Sequence, residues 1–223
     1  RYTYFSTLKE GYGINHIPFA TFAMEAYKDD ECAEFMPKMS GGAAAIDEKT
    51  KRLTSQMHKA IAIIQFKIEG QLIAKHPEWK MDKRRLFEHI NYEKKEIEID
   101  GKIYPMTSCH FPTINPASPY ELSPEEMVLM AKLHHSFMVC EKLHKHIRVM
   151  LQHGCMYTII NDNLLFHASC PLNEDGSLKE VEIFPGKKFA GRELMHQTGM
   201  QIRTAFQADS DPKEREYAID YFI

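Results

Sequence analysis

A chain of 223 residues can bury the core of one large domain or two small ones, and 43% hydrophobic with 26% charged residues is the composition of a globular protein. Its 28 basic and 31 acidic residues leave a formal charge of -3, which excludes the basic footprint that nucleic acid or an anionic membrane surface would need. No apolar run approaches the roughly 18 residues of a membrane span, and five scattered cysteines (Cys32, Cys109, Cys140, Cys155, Cys170) without a Cys-x-x-Cys pair read as reduced thiols of a cytoplasmic protein.

In chain order, HIPFATFAMEAY (16–27) predicts an apolar helix that tolerates Pro18 in its first turn. A polar linker ending at Ser40, Gly41 and Gly42 leads into a long helix from about Ala43 to Lys75. There Ile46, Leu53, Met57, Ile61, Ile64, Ile68 and Leu72 recur at steps of three, four or seven. Between Ala60 and Ile68 the pattern is apolar on almost every side, which predicts burial all round. His76 and Pro77 end the helix, and a short one is expected over about Asp82 to Ile90.

KEIEIDGKIYPM predicts a hairpin, with Ile97 and Ile99 alternating with charges and Asp100–Gly101 as the tight turn. HFPTINPASPYEL reads as an extended connection lying over the surface. A second long helix is signalled by Ser123 as cap, Pro124 in the first position and Glu126 three residues after the cap. It is expected to run to His153 and stop at Gly154.

MYTII and LLFHASC flank the turn residues Asn161, Asp162 and Asn163, giving a second hairpin. In LLFHASC both faces are largely apolar, which predicts a central strand that ends on His167. Helices over about Ala190 to Gln207 and Pro212 to Phe222 finish the chain. The fold class is thus α+β, mainly helical with two β-hairpins. Arg1 in place of a methionine and the apolar terminus DYFI predict an interior segment of a longer protein.

The second long helix carries five histidines, His134, His135, His144, His146 and His153, but no two are three or four apart, so none share a face as metal ligands do. His144 lies in the apolar stripe and reads as a hydrogen-bonded core histidine. Glu-x-x-His occurs at Glu141–His144 and Glu193–His196, the pairing of a di-iron carboxylate bundle, for which Glu69 and Glu25 could complete the set. Chance alone supplies such pairs among 12 histidines. Lys142, Lys145 and Arg148 could receive a phosphate, although solvated helix surface is the plainer reading. Phosphate-loop, nucleophile-elbow and zinc-type spacings are all absent, so no catalytic residue is assigned.

Several long blocks carry a resemblance: IRVMLQHGCMYTIINDNLLFHASCPLNEDGSLKEV, HKAIAIIQFKIEGQLIAKHPEWKMDKRRLFEHINYEK, FPTINPASPYELSPEE and EGYGINHIPFATFAMEAY. Over essentially the whole chain the sequence resembles the class III fructose-1,6-bisphosphatases. That resemblance implies a parent protein with a calcineurin-like metallophosphoesterase αββα sandwich and a two-metal site, with manganese as the metal, hydrolysing fructose 1,6-bisphosphate to fructose 6-phosphate in gluconeogenesis. It implies that residues 1–155 form a helical insertion with a small hairpin, and that residues 156–223 supply returning strands of the phosphoesterase sheet and C-terminal helices.

Of the family's metal-ligand motifs only the strand-end histidine is present, as His167, followed by Ala168 where relatives usually carry glycine. The remaining ligands would come from outside this segment, which alone is expected to be inactive. The competing expectation is a helical module for binding or homo-oligomerisation, covering a sugar-phosphate pocket or joining subunits.

Overall fold

The computed structural model describes residue 5 and residues 7–37, 47–167 and 169–222. These form helices with small antiparallel sheets, in two compact units, Arg1–Leu143 and His144–Ile223. The Ser40–Gly42 linker end, the helix start at Ala43, and Ile46 lie outside the described residues.

In the first unit, α1 (Ile17–Ala26) has Pro18 in its first turn, where an N–H would lack a helical partner anyway. It buries Phe19 and Ala23, with Tyr27 just beyond its end. Helix α2 (Glu48–Lys75) starts at Asp47, whose carboxylate accepts the Thr50 amide at 3.0 Å. Met57, Ala60 and Ile64 of α2 meet Phe19, Ala23, Tyr27, Cys32 and Leu129 in one core cluster. Ile63 joins Phe87, Ile114 and Tyr120 in another.

Burial of α2 is one-sided, against the expectation from its apolar middle: Ile61 and Phe66 are exposed, and two lysines are buried in their place. Lys67 has no exposed side-chain surface and meets Glu126, itself 1% exposed, at 2.7 Å. Its ammonium also donates to the Thr113 carbonyl at 2.6 Å. About two turns of helix before it, Lys59 donates to Asp30 at 2.5 Å and lies 5.3 Å from the centre of the Phe111 ring.

The helix expected over residues 82–90 is instead two 3₁₀ turns, Asp82–Arg84 and Leu86–His89. The Phe87 amide donates to the Tyr120 hydroxyl at 3.1 Å, so a tertiary bond takes an N–H that a helix would need. The chain then enters β1 (Ile90–Asn91), which pairs with β2 (Glu96–Ile99), and β2 pairs with β3 (Lys102–Pro105). Asp100 and Gly101 both have positive φ, 48° and 75°, as a two-residue hairpin turn of the primed type requires.

The proline-rich connection is likewise not a surface strap, because Ile114 and Tyr120 are buried in the second cluster. Tyr120 lies flat against Gly70 of α2: a Cβ built there would stand 2.1 Å from the ring.

Helix α3 (Pro124–Met138) opens with the expected capping box, Ser123 accepting from the Glu126 amide and Glu126 accepting from the Ser123 amide. It does not reach His153. The helix stops at Val139 and α4 (Glu141–His153) restarts after Cys140. No glycine or proline marks this break. Val139 and Cys140 are weak helix formers, and the Cys140 thiol and Lys142 ammonium instead hold the carbonyls of Tyr12 and Gly11, at 3.3 Å and 2.7 Å.

In the second unit, β4 (Tyr157–Ile160) and β5 (Asn163–Phe166) form the expected hairpin around Asn161 and Asp162, both with positive φ. They are a two-stranded sheet, so the expected central strand is corrected: β5 is exposed along its whole length. Strands β6 (Val181–Phe184) and β7 (Lys187–Phe189) make a further hairpin, turned at Pro185–Gly186. Helix α5 (Gly191–Phe206) is tied to it by Gln201, which donates to the Ile183 carbonyl at 2.9 Å. Helix α6 (Pro212–Phe222) stacks Tyr217 on Phe184, ring centres 5.8 Å apart.

Two substitutions probe this packing. Gly70→Ala gains about 1 kcal/mol of helix propensity, but the methyl overlaps the Tyr120 ring. It is expected to destabilise the protein by roughly 1–3 kcal/mol net in urea unfolding. Glu126→Gln keeps the shape of the capping box but leaves the Lys67 ammonium uncompensated in the interior. A loss of about 3–5 kcal/mol is expected, largely restored by adding Lys67→Met.

Candidate functional site

His167 follows β5 directly, one residue past Phe166, whose partner across the ribbon is Tyr157. It is exposed, as a ligand donor at a strand end must be if the ion is to reach it. Ala168 lies outside the described residues. Among the described residues no three His, Cys, Asp or Glu side chains gather closely enough to hold a metal ion. The donor set is therefore a single imidazole, which does not by itself fit a metal centre of the usual three or four protein ligands.

The three basic residues of the second long helix are not one receptacle. Lys142 donates to the Gly11 carbonyl at 2.7 Å and lies 5.8 Å from the Tyr12 ring centre, so its charge helps to end the π-type turn Thr7–Gly11. Lys145 and Arg148 are exposed on α4. They remain available to an anion, but α4 buries no residue beside them to build a pocket among the described residues.

The di-iron reading fails on its carboxylates. Glu69 is paired with Arg84 at 2.5 Å, and Glu193 accepts a hydrogen bond from Gln197 at 2.7 Å. Glu25 and Glu141 are exposed, and no cluster joins any of them among the described residues. His144 is only half-buried, and α4 buries no residue at all, so the core histidine expected there is corrected too. Its apolar stripe has too little cover among the described residues to make a core.

What the sequence reading missed is the ionic interior of the first unit. Burial alone would raise the Asp30 carboxyl, but the hydrogen bonds from Lys59 and from the Cys32 amide hold it below the usual carboxylate range. Burial, reinforced by the Asp30 charge, pushes the neighbouring Cys32 thiol up to about 12. That sulfur stays protonated at neutral pH and is a packing group, not a nucleophile. The available signal was positional: Lys59 and Lys67 fall on the stripe of Ala60, Ile63 and Ile64, where a solvated lysine has no place.

A wide cleft of about 430 Å³ lies between α1 and α3, lined by Asn15, Pro18, Leu129, Lys132, His135 and Ser136. Of the residues weighed above His135 lines it, whereas His167, Lys145 and Arg148 do not. Among the described residues no helix is long and apolar enough to cross a membrane.

Comparison with known proteins bears directly on this incomplete site. A family model described as Firmicute fructose-1,6-bisphosphatase matches residues 1–223. The curated fructose-1,6-bisphosphatase class 3 of Phocaeicola vulgatus is 50% identical over 222 residues, 99% of this chain and 33% of the relative's length. That of Parabacteroides distasonis is 50% identical over 221 residues, again 33% of its length, and that of Clostridium novyi 44% over 220 residues. No solved structure matches. The chain spans about a third of the length of these relatives, which accounts for a family match without a complete constellation of ligands. A match over all 223 residues, with close to half the positions identical in several relatives, places this chain in the Firmicute fructose-1,6-bisphosphatase family.

Proposed function

We propose that the whole protein hydrolyses the 1-phosphate of fructose 1,6-bisphosphate in the cytoplasm, yielding fructose 6-phosphate and phosphate. The observation that carries this is the uninterrupted likeness to proteins named fructose-1,6-bisphosphatase class 3, across 99% of the chain. Manganese is the expected metal and a calcineurin-like sandwich the expected parent fold. The described residues do not make a two-metal centre by themselves. In this reading the chain contributes His167 as one donor to a site completed by other parts of the whole protein. An exposed imidazole just past a paired strand suits that role, since it can be presented without unfolding anything.

Residues 1–155 then act as a cover over the sugar-phosphate pocket. Lys145 and Arg148 are the residues of α4 through which a phosphate could be met, and Lys142 is not, being spent on the Gly11 carbonyl.

Two experiments test the reading. In the full-length protein His167→Ala should lower kcat/KM for fructose 1,6-bisphosphate by about 100-fold or more, with manganese affinity reduced in the same preparation. Its far-UV circular dichroism should be unchanged because the side chain is exposed. Wild-type activity in that variant would remove His167 from the site. The 223-residue chain purified alone should release no measurable phosphate from fructose 1,6-bisphosphate at any manganese concentration, and turnover by it would overturn the division of labour proposed here.

A further inference from the structure

From Pro124 to His153 the chain is written as one helix and folds as two. Leu133, Phe137, Cys140, His144, Ile147 and Leu151 follow one another at alternating steps of four and three, so the stripe passes through the junction of α3 and α4 without losing helical phase. Helix ends are usually marked by a glycine or a proline. Residues 137–143 contain neither.

The departure from helix is narrow. Val139 keeps right-handed helical backbone angles, φ -93° and ψ -1°, and its amide donates to the His135 carbonyl at 3.0 Å, the ordinary helical bond. Cys140 is where the pattern is left: its amide reaches the Phe137 carbonyl, only three residues back, at 3.3 Å. Glu141, Lys142 and Leu143 then open α4, and the first amides of a helix have no carbonyl of that helix to bond. Phe137, Met138 and Val139 are exposed, so little packing opposes a rearrangement here.

What holds Cys140 out of line is distant in sequence. Its thiol donates to the Tyr12 carbonyl at 3.3 Å, and the Lys142 ammonium donates to the Gly11 carbonyl at 2.7 Å while lying 5.8 Å from the Tyr12 ring centre. Each hold is a single side-chain donor on a backbone carbonyl, and a thiol is a weak donor. Against them stand the helical bonds that the amides of Glu141, Lys142 and Leu143 would make to the carbonyls of Phe137, Met138 and Val139 if Cys140 turned in. A few hydrogen bonds on either side of the balance are what a two-state element requires.

We infer that the α3–α4 junction is a conformational switch operated by residues 11 and 12. With the Gly11 and Tyr12 carbonyls engaged, the helix is broken at Cys140; with them withdrawn, α3 runs on into α4 as one helix. The turn Thr7–Gly11 thus governs a helix more than 120 positions away, and whatever displaces that turn changes the backbone bonding of residues 140–143. This inference does not depend on the reaction proposed above.

Hydrogen exchange on the full-length protein, read at single amides by mass spectrometry with electron-transfer fragmentation, tests it. Cys140→Val combined with Lys142→Met removes both donors at nearly constant helix propensity. It should slow exchange at the Glu141, Lys142 and Leu143 amides by about 10-fold or more relative to the unsubstituted protein. Cys140→Ser, which keeps a donor at that position and leaves Lys142 in place, should exchange there as the unsubstituted protein does. Unchanged exchange in the double variant would overturn the inference, because the break would then be intrinsic to the helix. Faster exchange would overturn it too, since the two bonds would then merely support the start of α4. Should the double variant fail to fold, Lys142→Met alone decides: slower exchange at the three amides supports the switch, and unchanged or faster exchange refutes it.

Discussion

The first unit depends on a single carboxylate that serves two structures at once. Glu126 accepts the Ser123 amide at 2.8 Å, closing the N-terminal cap of α3, and takes the Lys67 ammonium at 2.7 Å from the middle of α2. Lys67 in turn holds the Thr113 carbonyl, so the proline-rich connection, the start of α3 and the long helix meet at one buried charge pair. Burying two ions is expensive, and their attraction repays it only when the remaining donors and acceptors are also satisfied. Here the backbone of two other segments does that. An arrangement of this kind contributes less to total stability than to uniqueness, because any other docking of α3 would leave an ammonium without a counter-charge. Lys59 and Asp30 repeat the device near the other end of the buried face, roughly 12 Å along α2 at 1.5 Å per residue. Two such points fix both the rotation of the helix and the path of the segment that follows α1.

This explains which parts of the fold were legible beforehand. Local chemistry announced itself: the capping box at Ser123, the Asp100–Gly101 turn, the apolar periodicity of α1 and α2, and the helices that end the chain. Each is written in residues adjacent in sequence. Features set by distant partners were not legible. The break between α3 and α4 follows from the grip of Cys140 and Lys142 on Tyr12 and Gly11, more than 120 positions away. Residues 82–90 lose their helix because Tyr120 takes the Phe87 amide. The β6–β7 hairpin was recoverable, since Pro185–Gly186 is a strong turn signal, but strands of four and three residues with two lysines carry almost no periodicity.

The candidate site divides in the same way. Periodicity identified the ribbon and the histidine that follows it, whereas family membership came from long stretches of similar residues and not from any spacing of ligands. The Glu-x-x-His pairs show the converse. Spacing on one helix is a local property, and whether carboxylates converge is not: Glu69 answers to Arg84 and Glu193 to Gln197. A motif with half its ligands on other elements cannot be confirmed from one strand of text.

The two units therefore differ in how far they determine themselves. Around Lys67 the first unit resolves its own electrostatics, with buried charge met by buried charge and by backbone. The ribbon that leads to His167 resolves little: large apolar side chains stand on both faces, with Thr158 and Asn163 beside them on one, and no described residue between His144 and Glu182 is buried. A ligand donor on such an element takes its position from whatever covers the element, because the ribbon alone does not fix the direction of its own end. In the proposed reading, the geometry of His167 depends on whatever covers the ribbon, and substitutions on its faces act on the site through placement of the imidazole. That is the expected economy for a donor shared between distant segments, since the site then forms only when the segments have docked.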